Sequence, residues 1–421
     1  MAALDFPASP AIGDKYPVPA VAGQPQYTYD GVKWTTVGAQ VTTAAPATAL
    51  PLMDAATAVV GTATKYARED HVHPRIPAAP VDALAYSGLQ FNGSMSVSQE
   101  LGDTGRSTQG YICDGWLFVK TGTAVETILR LTDPLFDYCG FSNLLYGQAG
   151  TAQPTMGAGD YYALFHYIEG YRISRLAWGT AGAQPITLGF WTSHSKPGLY
   201  SGSIRNGAYD RSYVFTYTQN TAYTHEYKTI TIPGCPDGVW ASNNTPGMRI
   251  SLAIALGTTN SSSTVGSWTT NGSALGATAQ VNCVSTTTDL FRLTGFVVLP
   301  GIAAPTAAQS PLIMRPYDQE LVTCQRYFEK GAESQTYYSG GTPPAGITTA
   351  YEAVRFSVAK RAGPTMTPTT GWQYYNTSDG TVVFTPTFTN VSTDGFSFVG
   401  SGMTNWKAWY PGGSWIADAR L

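Results

Sequence analysis

The segment that decides the fold reads Ile186-Thr187-Leu188-Gly189-Phe190-Trp191, in which large apolar residues stand at every second position. Successive side chains of a β-strand point to opposite faces, so this period of two places Ile186, Leu188 and Phe190 on one face. The same alternation returns over residues 213–217 and 250–256, with Gly, Asn, Ser and Pro turns between the segments. Several short strands at such spacing predict a jelly-roll-type β-sandwich, to which we assign residues 83–312.

The composition of the whole chain agrees with an all-β class. Of 421 residues, 12% are charged and 12% aromatic, and the chain carries 45 Gly and 27 Pro. The formal net charge of -3, without a basic cluster, gives no electrostatic case for nucleic acid.

The sequence contains no apolar run of about 18 residues and does not begin with a basic region followed by an apolar one. We therefore expect a protein without a signal peptide and without membrane insertion.

The cysteines of the chain are odd in number and scattered. None of the five stands in Cys-x-x-Cys spacing; they are Cys113, Cys139, Cys235, Cys283 and Cys324. This spacing fits neither a disulfide framework nor a zinc site. We expect reduced, buried side chains.

Residues 1–45 alternate turn signals with aromatic residues. The run Tyr29-Asp30-Gly31-Val32-Lys33-Trp34 places an Asp-Gly pair between two aromatic segments, and Asp-Gly is a strong signal for a hairpin turn. We predict a small N-terminal β module.

Residues 46–82 are rich in Ala, Thr and Pro and have no apolar periodicity, so they are predicted to form a neck rather than a core. His71 and His73 stand in it, and Pro74 favours extended backbone at His73. In extended backbone the two imidazoles share one face, roughly 6.5 Å apart. Around a threefold axis such a pair supplies six nitrogens, a set that suits iron or another octahedral metal ion. The alternative is a pair of exposed linker residues, with Asp70 and Arg75 in ordinary surface pairs.

Residues 313–421 are predicted to hold a short helix and a second, smaller β domain. Leu321, Cys324 and Phe328 follow helical spacing after Pro316. Strand-like alternation then returns over residues 354–358, 381–384 and 396–398.

Several of these segments resemble those of tail fibre and tailspike proteins of tailed bacteriophages. The matching runs are Lys65-Tyr66-Ala67-Arg68-Glu69-Asp70-His71-Val72-His73-Pro74, Cys324-Gln325-Arg326-Tyr327-Phe328 and Trp415-Ile416-Ala417-Asp418-Ala419-Arg420-Leu421. The resemblance implies a homotrimer whose front end attaches to a phage tail or baseplate protein, and it implies that the His-x-His pair holds iron. Arg420 stands where an acidic residue is common in the family, so the contact of that acidic side chain is not carried over.

About half of the chain also resembles the carbohydrate-binding-like sandwich domains of phage tail fibres. The matching pieces, in chain order, are Ile168-Glu169-Gly170-Tyr171, Leu188-Gly189-Phe190-Trp191, Arg205-Asn206, Arg211-Ser212-Tyr213, Glu226-Tyr227-Lys228-Thr229 and Leu293-Thr294-Gly295. This resemblance implies glycan binding by the sandwich.

Sugar binding needs flat aromatic faces together with polar groups that hold hydroxyls. Dense aromatic groups near turns in the last domain supply receptor-binding candidates, namely Trp372, Tyr374, Tyr375, Trp406, Trp409 and Tyr410. The alternative places Trp372 and Trp406 in a core or between subunits.

The sequence does not support catalysis. A glycosidase needs two carboxylates roughly 5 to 10 Å apart, and the candidates Asp133, Asp137 and Glu169 have no spacing that would pair them. Ser195 beside His194 is simple adjacency, because no nucleophile motif surrounds it.

The predicted function is that of a phage tail fibre, or receptor-binding protein, that is made in the host cytoplasm, resides in the virion tail and adsorbs to host surface polysaccharide without cleaving it. The alternatives are a polysaccharide depolymerase tailspike and a structural protein that decorates the baseplate or collar.

Overall fold

The computed structural model describes residues 5–22, 24–36, 87–132, 139–334, 349–369, 371–376, 380–401 and 412–421. The chain divides into two compact units, Met1–Ala78 and Ala79–Leu421. Strands are the main regular structure of the described residues, which confirms the predicted all-β class. Within the described ranges, no helix combines the length and the apolar character that crossing a membrane requires. The predicted neck, with His71 and His73, lies outside the described residues.

The first unit contains the predicted hairpin. Its antiparallel strands are β1 Lys15–Tyr16, β2 Tyr27–Tyr29 and β3 Trp34–Thr36. The Asp30 carboxylate closes the turn between β2 and β3 by accepting hydrogen bonds from the backbone amides of Val32 and Lys33, at 2.9 and 2.8 Å. Phe6 stacks on Trp34 with ring centroids 5.0 Å apart, so aromatic contacts supply the small apolar centre of this module.

The second unit is built around a sandwich of two antiparallel sheets, which confirms the predicted sandwich. Its strands are β4 Gly110–Cys113, β5 Trp116–Lys120, β6 Val125–Thr132, β7 Asn143–Thr151, β8 Tyr161–Glu169, β9 Ile186–His194, β10 Gly198–Asn206, β11 Ser212–Gln219, β12 Glu226–Ile232, β13 Pro246–Leu256, β14 Ser261–Ser262, β15 Trp268–Thr269, β16 Gly276–Ala277 and β17 Leu290–Pro300. One sheet has seven strands in the order β15-β11-β10-β13-β8-β5-β4, and the other has five in the order β12-β9-β17-β7-β6. β14 and β16 form a short parallel pair.

The main core lies between the two sheets. Ile186, Leu188 and Phe190 of β9 are fully buried in it, as their alternation predicts. Phe190 meets Tyr217 of the opposite sheet edge to face, with centroids 5.1 Å apart. His166 is also buried in this core, where burial lowers its pKa to about 3, so its imidazole is neutral at physiological pH.

Short helical segments stand between some of the strands in the chain order. They are the helices Gly170–Ile173 and Tyr317–Gln325 and the 3-10 helices Ser174–Leu176, Thr258–Asn260 and Ala307–Ile313. The predicted helix is confirmed, but it ends at Gln325, and Phe328 begins a strand. Cys324 on this helix is buried against Phe91 and Tyr327. All five cysteines are free and buried, which confirms their expected state.

The last part of the chain contains the predicted smaller set of strands. They are β18 Phe328–Ser334, β19 Thr349–Arg355, β20 Thr365–Pro368, β21 Gln373–Asn376, β22 Gly380–Val383, β23 Thr387–Thr389, β24 Gly395–Ser401 and β25 Gly412–Asp418. One sheet has the order β18-β25-β21-β22, with β20 also paired to β25, and the other has the order β19-β24-β23. Between them lies a second core, formed by Phe356, Trp372, Phe396, Phe398, Trp415 and Ala417.

Buried ion pairs join this region to the sandwich. Arg326 donates to both Glu169 oxygens, at 2.6 and 2.9 Å, and the Tyr327 hydroxyl donates to Glu169 as well. Arg420, which departs from the family pattern, pairs with Asp418 at 2.6 Å and also with Glu100. Arg420 therefore has carboxylate partners of its own in this chain.

Candidate functional site

The structure describes only part of the receptor-binding set predicted from sequence. Trp372 is 2% exposed, and its indole Nε1 donates to the Ser414 carbonyl at 2.8 Å. Three neighbouring phenylalanines pack against its ring, so Trp372 is a core residue and not a receptor contact. Tyr374 and Tyr375 lie on β21, without described side chains, and the remaining candidates Trp406, Trp409 and Tyr410 lie outside the described residues.

Of the catalytic candidates, the structure describes only Glu169. Asp133 and Asp137 lie outside the described residues. Glu169 is held by Arg326 and Tyr327. Burial raises the pKa of Glu169, but these hydrogen bonds outweigh burial and leave the pKa below its ordinary value. Glu169 is therefore a buried partner in an ion pair.

His194 and Cys283 meet in the core, where the Cys283 sulfur lies 3.9 Å from His194 Nδ1. Burial raises the pKa of Cys283 to about 12 and lowers that of His194 to about 3. Both groups are therefore neutral at physiological pH. A nucleophilic cysteine requires the thiolate, so this pair is a packing contact.

A different site lies on the outer face of the seven-stranded sheet. On β8 the even positions from Tyr162 to Ile168 enter the main core, so Tyr161, Phe165 and Tyr167 lie on the opposite face. These aromatic residues, together with Val119 on the neighbouring strand β5, form the floor of a groove of about 310 Å³.

Two arginines continue this outer face. Tyr167, Arg249 and Arg205 stand opposite one another in register across β8, β13 and β10. The Arg249 guanidinium carbon lies 4.9 Å from the Tyr167 ring centroid, and that of Arg205 lies 5.5 Å from the Phe165 centroid. The arginines therefore pack on the same aromatic surface as the groove floor.

The wall of the groove is formed by Gly272, Ser273 and Leu275, together with Asn260, and the chain continues from it to Ala277. The Leu275 amide donates to the Asn260 carbonyl at 2.8 Å, and the Leu275 carbonyl accepts from Ser251 on β13 at 2.9 Å. The Ala277 amide donates to the Ser201 hydroxyl at 2.8 Å. Hydrogen bonds thus fasten the wall to the sheet and keep the groove open beside it.

Tyr209 closes one end of the groove from the turn after β10. Its side chain is 48% exposed, and its ring lies 4.6 Å from the Arg249 guanidinium carbon. Tyr209 has a φ of 57°, a left-handed conformation that tyrosine rarely adopts. Asn206 is buried and holds this turn, because its side-chain oxygen accepts from the amides of Asp210 and Arg211, at 3.1 and 3.2 Å.

Gly272 lets the wall approach this turn. A Cβ at Gly272 would lie 1.7 Å from the Tyr209 carbonyl oxygen, a distance that no side chain tolerates. The Gly272 carbonyl also accepts a hydrogen bond from Arg205 at 3.4 Å. The shape of the groove end therefore depends on this one residue without a side chain.

Burial sets the electrostatics of the groove. It lowers the pKa of Arg205, an effect that Arg249 reinforces and the neighbouring tyrosines oppose. Burial also raises the pKa of Tyr167, although Arg249 acts against it. Arg205 nevertheless remains a cation at physiological pH because the guanidinium is so strongly basic. The groove thus offers aromatic faces, hydroxyl groups and fixed positive charge.

The sequence of β8 contains a signal for this site, although alternation of apolar and polar residues does not reveal it. The run Tyr161-Tyr162-Ala163-Leu164-Phe165-His166-Tyr167 is aromatic or apolar on both faces of a strand. A strand of that kind must be covered on both sides or expose an apolar surface. Here one face meets the main core, and the other forms the groove floor.

Comparisons with known proteins do not assign this chain to a family. No family model matches the sequence, and the search of curated proteins gave no match. Among solved structures, the enzymatically active domain of tailspike protein 4 of bacteriophage CBA120 is similar, with a TM-score of 0.28 and 12% identity over 54% of this chain and 24% of that one.

Two further similar structures cover most of their own lengths. The family 11 carbohydrate-binding module of Clostridium thermocellum has a TM-score of 0.24 and 10% identity over 48% of this chain and 99% of that one. Discoidin II of Dictyostelium discoideum has a TM-score of 0.18 and 9% identity over 64% of this chain and 81% of that one. At these scores the likenesses are partial.

Proposed function

We propose that this protein binds host surface polysaccharide through the groove on the seven-stranded sheet and serves as the receptor-binding protein of a phage tail fibre. The observation that carries the proposal is the row of Tyr167, Arg249 and Arg205 beside the aromatic floor of an open groove. Aromatic faces stack on the apolar sides of pyranose rings, while arginine and hydroxyl groups hold the sugar hydroxyls.

The geometry of the groove supports binding of a chain-like ligand without reaction. The groove residues in the described part of the chain include no Asp or Glu, and hydrolysis of a glycosidic bond uses a pair of carboxylates in most glycosidases. The proposed role is therefore adsorption, with the sugar released unchanged. A depolymerase would instead convert the polysaccharide to shorter products.

The phage assignment rests on the sequence resemblance. The run Cys324-Gln325-Arg326-Tyr327-Phe328 and the final seven residues resemble phage fibre ends. On this proposal the protein is a homotrimer in the virion tail, and three grooves in each fibre raise avidity above the affinity of a single site. His71 and His73 would hold an octahedral metal ion, such as iron, on the trimer axis.

The experiment that tests the proposal is a glycan array of bacterial surface polysaccharides, read with three full-length proteins. These are the wild type, the double variant Tyr167→Ala/Tyr209→Ala, and the control Tyr317→Ala, which removes a tyrosine that is 59% exposed and outside the groove. We expect the double variant to lose at least about tenfold in affinity for the glycans that the wild type binds, because each lost stack removes on the order of 1 kcal/mol.

The control should bind as the wild type does. Equal binding by the double variant would overturn the groove as the receptor site. Shortening of the bound polysaccharide during the assay would favour the depolymerase. Incorporation into virions without any glycan binding would favour a structural role in the baseplate or collar.

A further inference from the structure

The positive charge of Arg205 and Arg249 is not neutralised by a carboxylate among the described residues. Arg205 is 7% exposed, and its Nε has no hydrogen-bond partner, as is also true of the Nε of Arg249. No described carboxylate forms an ion pair with either guanidinium. Buried charges in proteins are normally paired, because desolvation of an unpaired ion is costly.

Several other partly buried arginines of this chain are paired with a carboxylate. Arg315 pairs with Glu320 at 3.3 Å, Arg326 with Glu169 at 2.6 Å, and Arg420 with Asp418 at 2.6 Å. Of these pairs, Arg326–Glu169 joins segments that are far apart in the sequence. Arg205, which lines the groove, and Arg249 beside it instead face each other in register on neighbouring strands, and like charges in that arrangement destabilise a sheet.

Aromatic rings, one carbonyl and the Tyr167 hydroxyl beside Arg249 supply the contacts of this pair. Arg205 lies over Phe165 and Tyr209, at 5.5 and 5.4 Å, and Arg249 lies over Tyr167 and Tyr209, at 4.9 and 4.6 Å. Stacking fixes the guanidinium planes and leaves N–H groups for another acceptor. Arg205 uses one such group on the Gly272 carbonyl, through a long hydrogen bond of 3.4 Å.

From these contacts we infer that the groove selects an anionic glycan, in which a carboxylate or phosphate group on a sugar ring lies between Arg205 and Arg249. The inference rests on the proposed function and specifies its ligand. The anion would accept hydrogen bonds from both guanidiniums and cancel their repulsion, and the ring that carries it would stack on Tyr167 or Tyr209. Guanidinium groups suit both anions, because their N–H groups match a carboxylate or a phosphate in two parallel hydrogen bonds.

The test uses ligand pairs that differ only in charge. One pair is the tetrasaccharide of α-1,4-linked galacturonic acid and its methyl ester. The other is phosphorylated pentamannose and its dephosphorylated form. Free glucuronate, inorganic phosphate and glucose serve as probes that do not depend on the linkage of the sugar. Affinities are measured by titration calorimetry, and the shift in melting temperature is measured for the free probes at constant ionic strength.

Three proteins are compared: the wild type, the double variant Arg205→Gln/Arg249→Gln, and the control Arg292→Gln. Arg292 packs on the ring of Tyr146 at 5.5 Å, on the other sheet, so its loss removes a ring-stacked guanidinium outside the groove. We expect the wild type to bind one charged tetra- or pentasaccharide at least about tenfold more tightly than its neutral partner. We also expect glucuronate or phosphate to raise its melting temperature more than glucose does.

The double variant should lose both preferences, and the control should keep them. The inference fails if the wild type treats charged and neutral probes alike, or if the double variant keeps the preference. If the wild type binds neutral glycans in a manner that depends on Tyr167 and Tyr209, the proposed function stands while the anionic selectivity is wrong. If neither sugars nor anions respond to groove substitutions, both are wrong.

Discussion

Arg205 and Arg249 stand directly opposite each other on β10 and β13, with no described carboxylate beside them. The two charges repel each other in the free protein. We therefore expect the pair to contribute to ligand binding and not to the stability of the fold. We expect Arg249→Gln to leave the free energy of unfolding within about 1 kcal/mol of the wild type, since lost repulsion offsets lost cation–π contact. Urea unfolding measures the difference, and a loss above about 3 kcal/mol would mean that the pair has a structural role.

Arg326→Gln provides the contrasting case. It leaves the Glu169 carboxylate, which is 2% exposed, without its cation. Loss of one partner of a buried ion pair costs roughly 3 to 5 kcal/mol. The same urea measurement should therefore show a large destabilisation, and Glu169→Gln/Arg326→Gln should recover part of it. A double variant as unstable as the sum of both single variants would contradict this account.

Gly272→Ala tests the shape of the groove. The added Cβ would meet the Tyr209 carbonyl at 1.7 Å, so the wall or the Tyr209 turn must move. We expect a lower melting temperature and a loss of glycan affinity of about tenfold or more. Gly363→Ala is the matched control, because nothing lies within 4 Å of a Cβ at that position. Full affinity in Gly272→Ala would show that the end of the groove does not contact the ligand.

Glu126 should make stability depend on pH. Burial raises its pKa from 4.5 to about 8, although Lys120 lowers it, and its Oε2 has no hydrogen-bond partner. Between these two pH values the folded protein keeps a proton that the unfolded chain has lost, so the free energy of unfolding falls as pH rises. The slope from this group is at most about 1.4 kcal/mol per pH unit.

Glu126→Gln removes this titration. We expect the variant to gain stability relative to the wild type as pH rises from 5 to 8, measured by urea unfolding at each pH. A difference between the two proteins that stays constant over this range would show that Glu126 is charged in the folded state.

The histidine pair gives a prediction that rests on sequence alone. Native mass spectrometry of the wild type should show a trimer with one bound metal ion. His71→Ala/His73→Ala should lose the ion and lower the melting temperature of the assembly, because the metal stabilises the folded, assembled state by linkage. A metal-free wild-type trimer would remove the metal site, and a monomer would remove the trimer as well.

The strands were predictable where large apolar residues recur at every second position. In β9 the alternation of Ile186, Leu188 and Phe190 identified the residues that enter the main core. The helix Tyr317–Gln325 was predicted from spacing and from Pro316, but its end was not. Phe328 fits the helical period, yet it pairs with Asp418 as the first residue of β18, because tertiary pairing overrides local spacing.

The groove was not predictable by the same reasoning. Tyr161–Glu169 is apolar on both faces, so alternation does not indicate which side meets the core. Arg205 and Arg249 are distant in sequence and meet only through strand pairing. The burial of Trp372 was not predictable from its neighbours in the sequence. An aromatic residue next to a turn can still be covered by strands from later in the chain, as β24 and β25 cover Trp372.

The most direct test of the central claim is a crystal structure of the full-length protein bound to the glycan that ranks first on the array. We predict a sugar ring stacked within about 4 Å of Tyr161, Tyr167 or Tyr209, with a guanidinium of Arg205 or Arg249 donating to it. A glycan bound instead beside Tyr374 and Tyr375, with the groove unchanged, would contradict the account and restore the site first predicted from sequence.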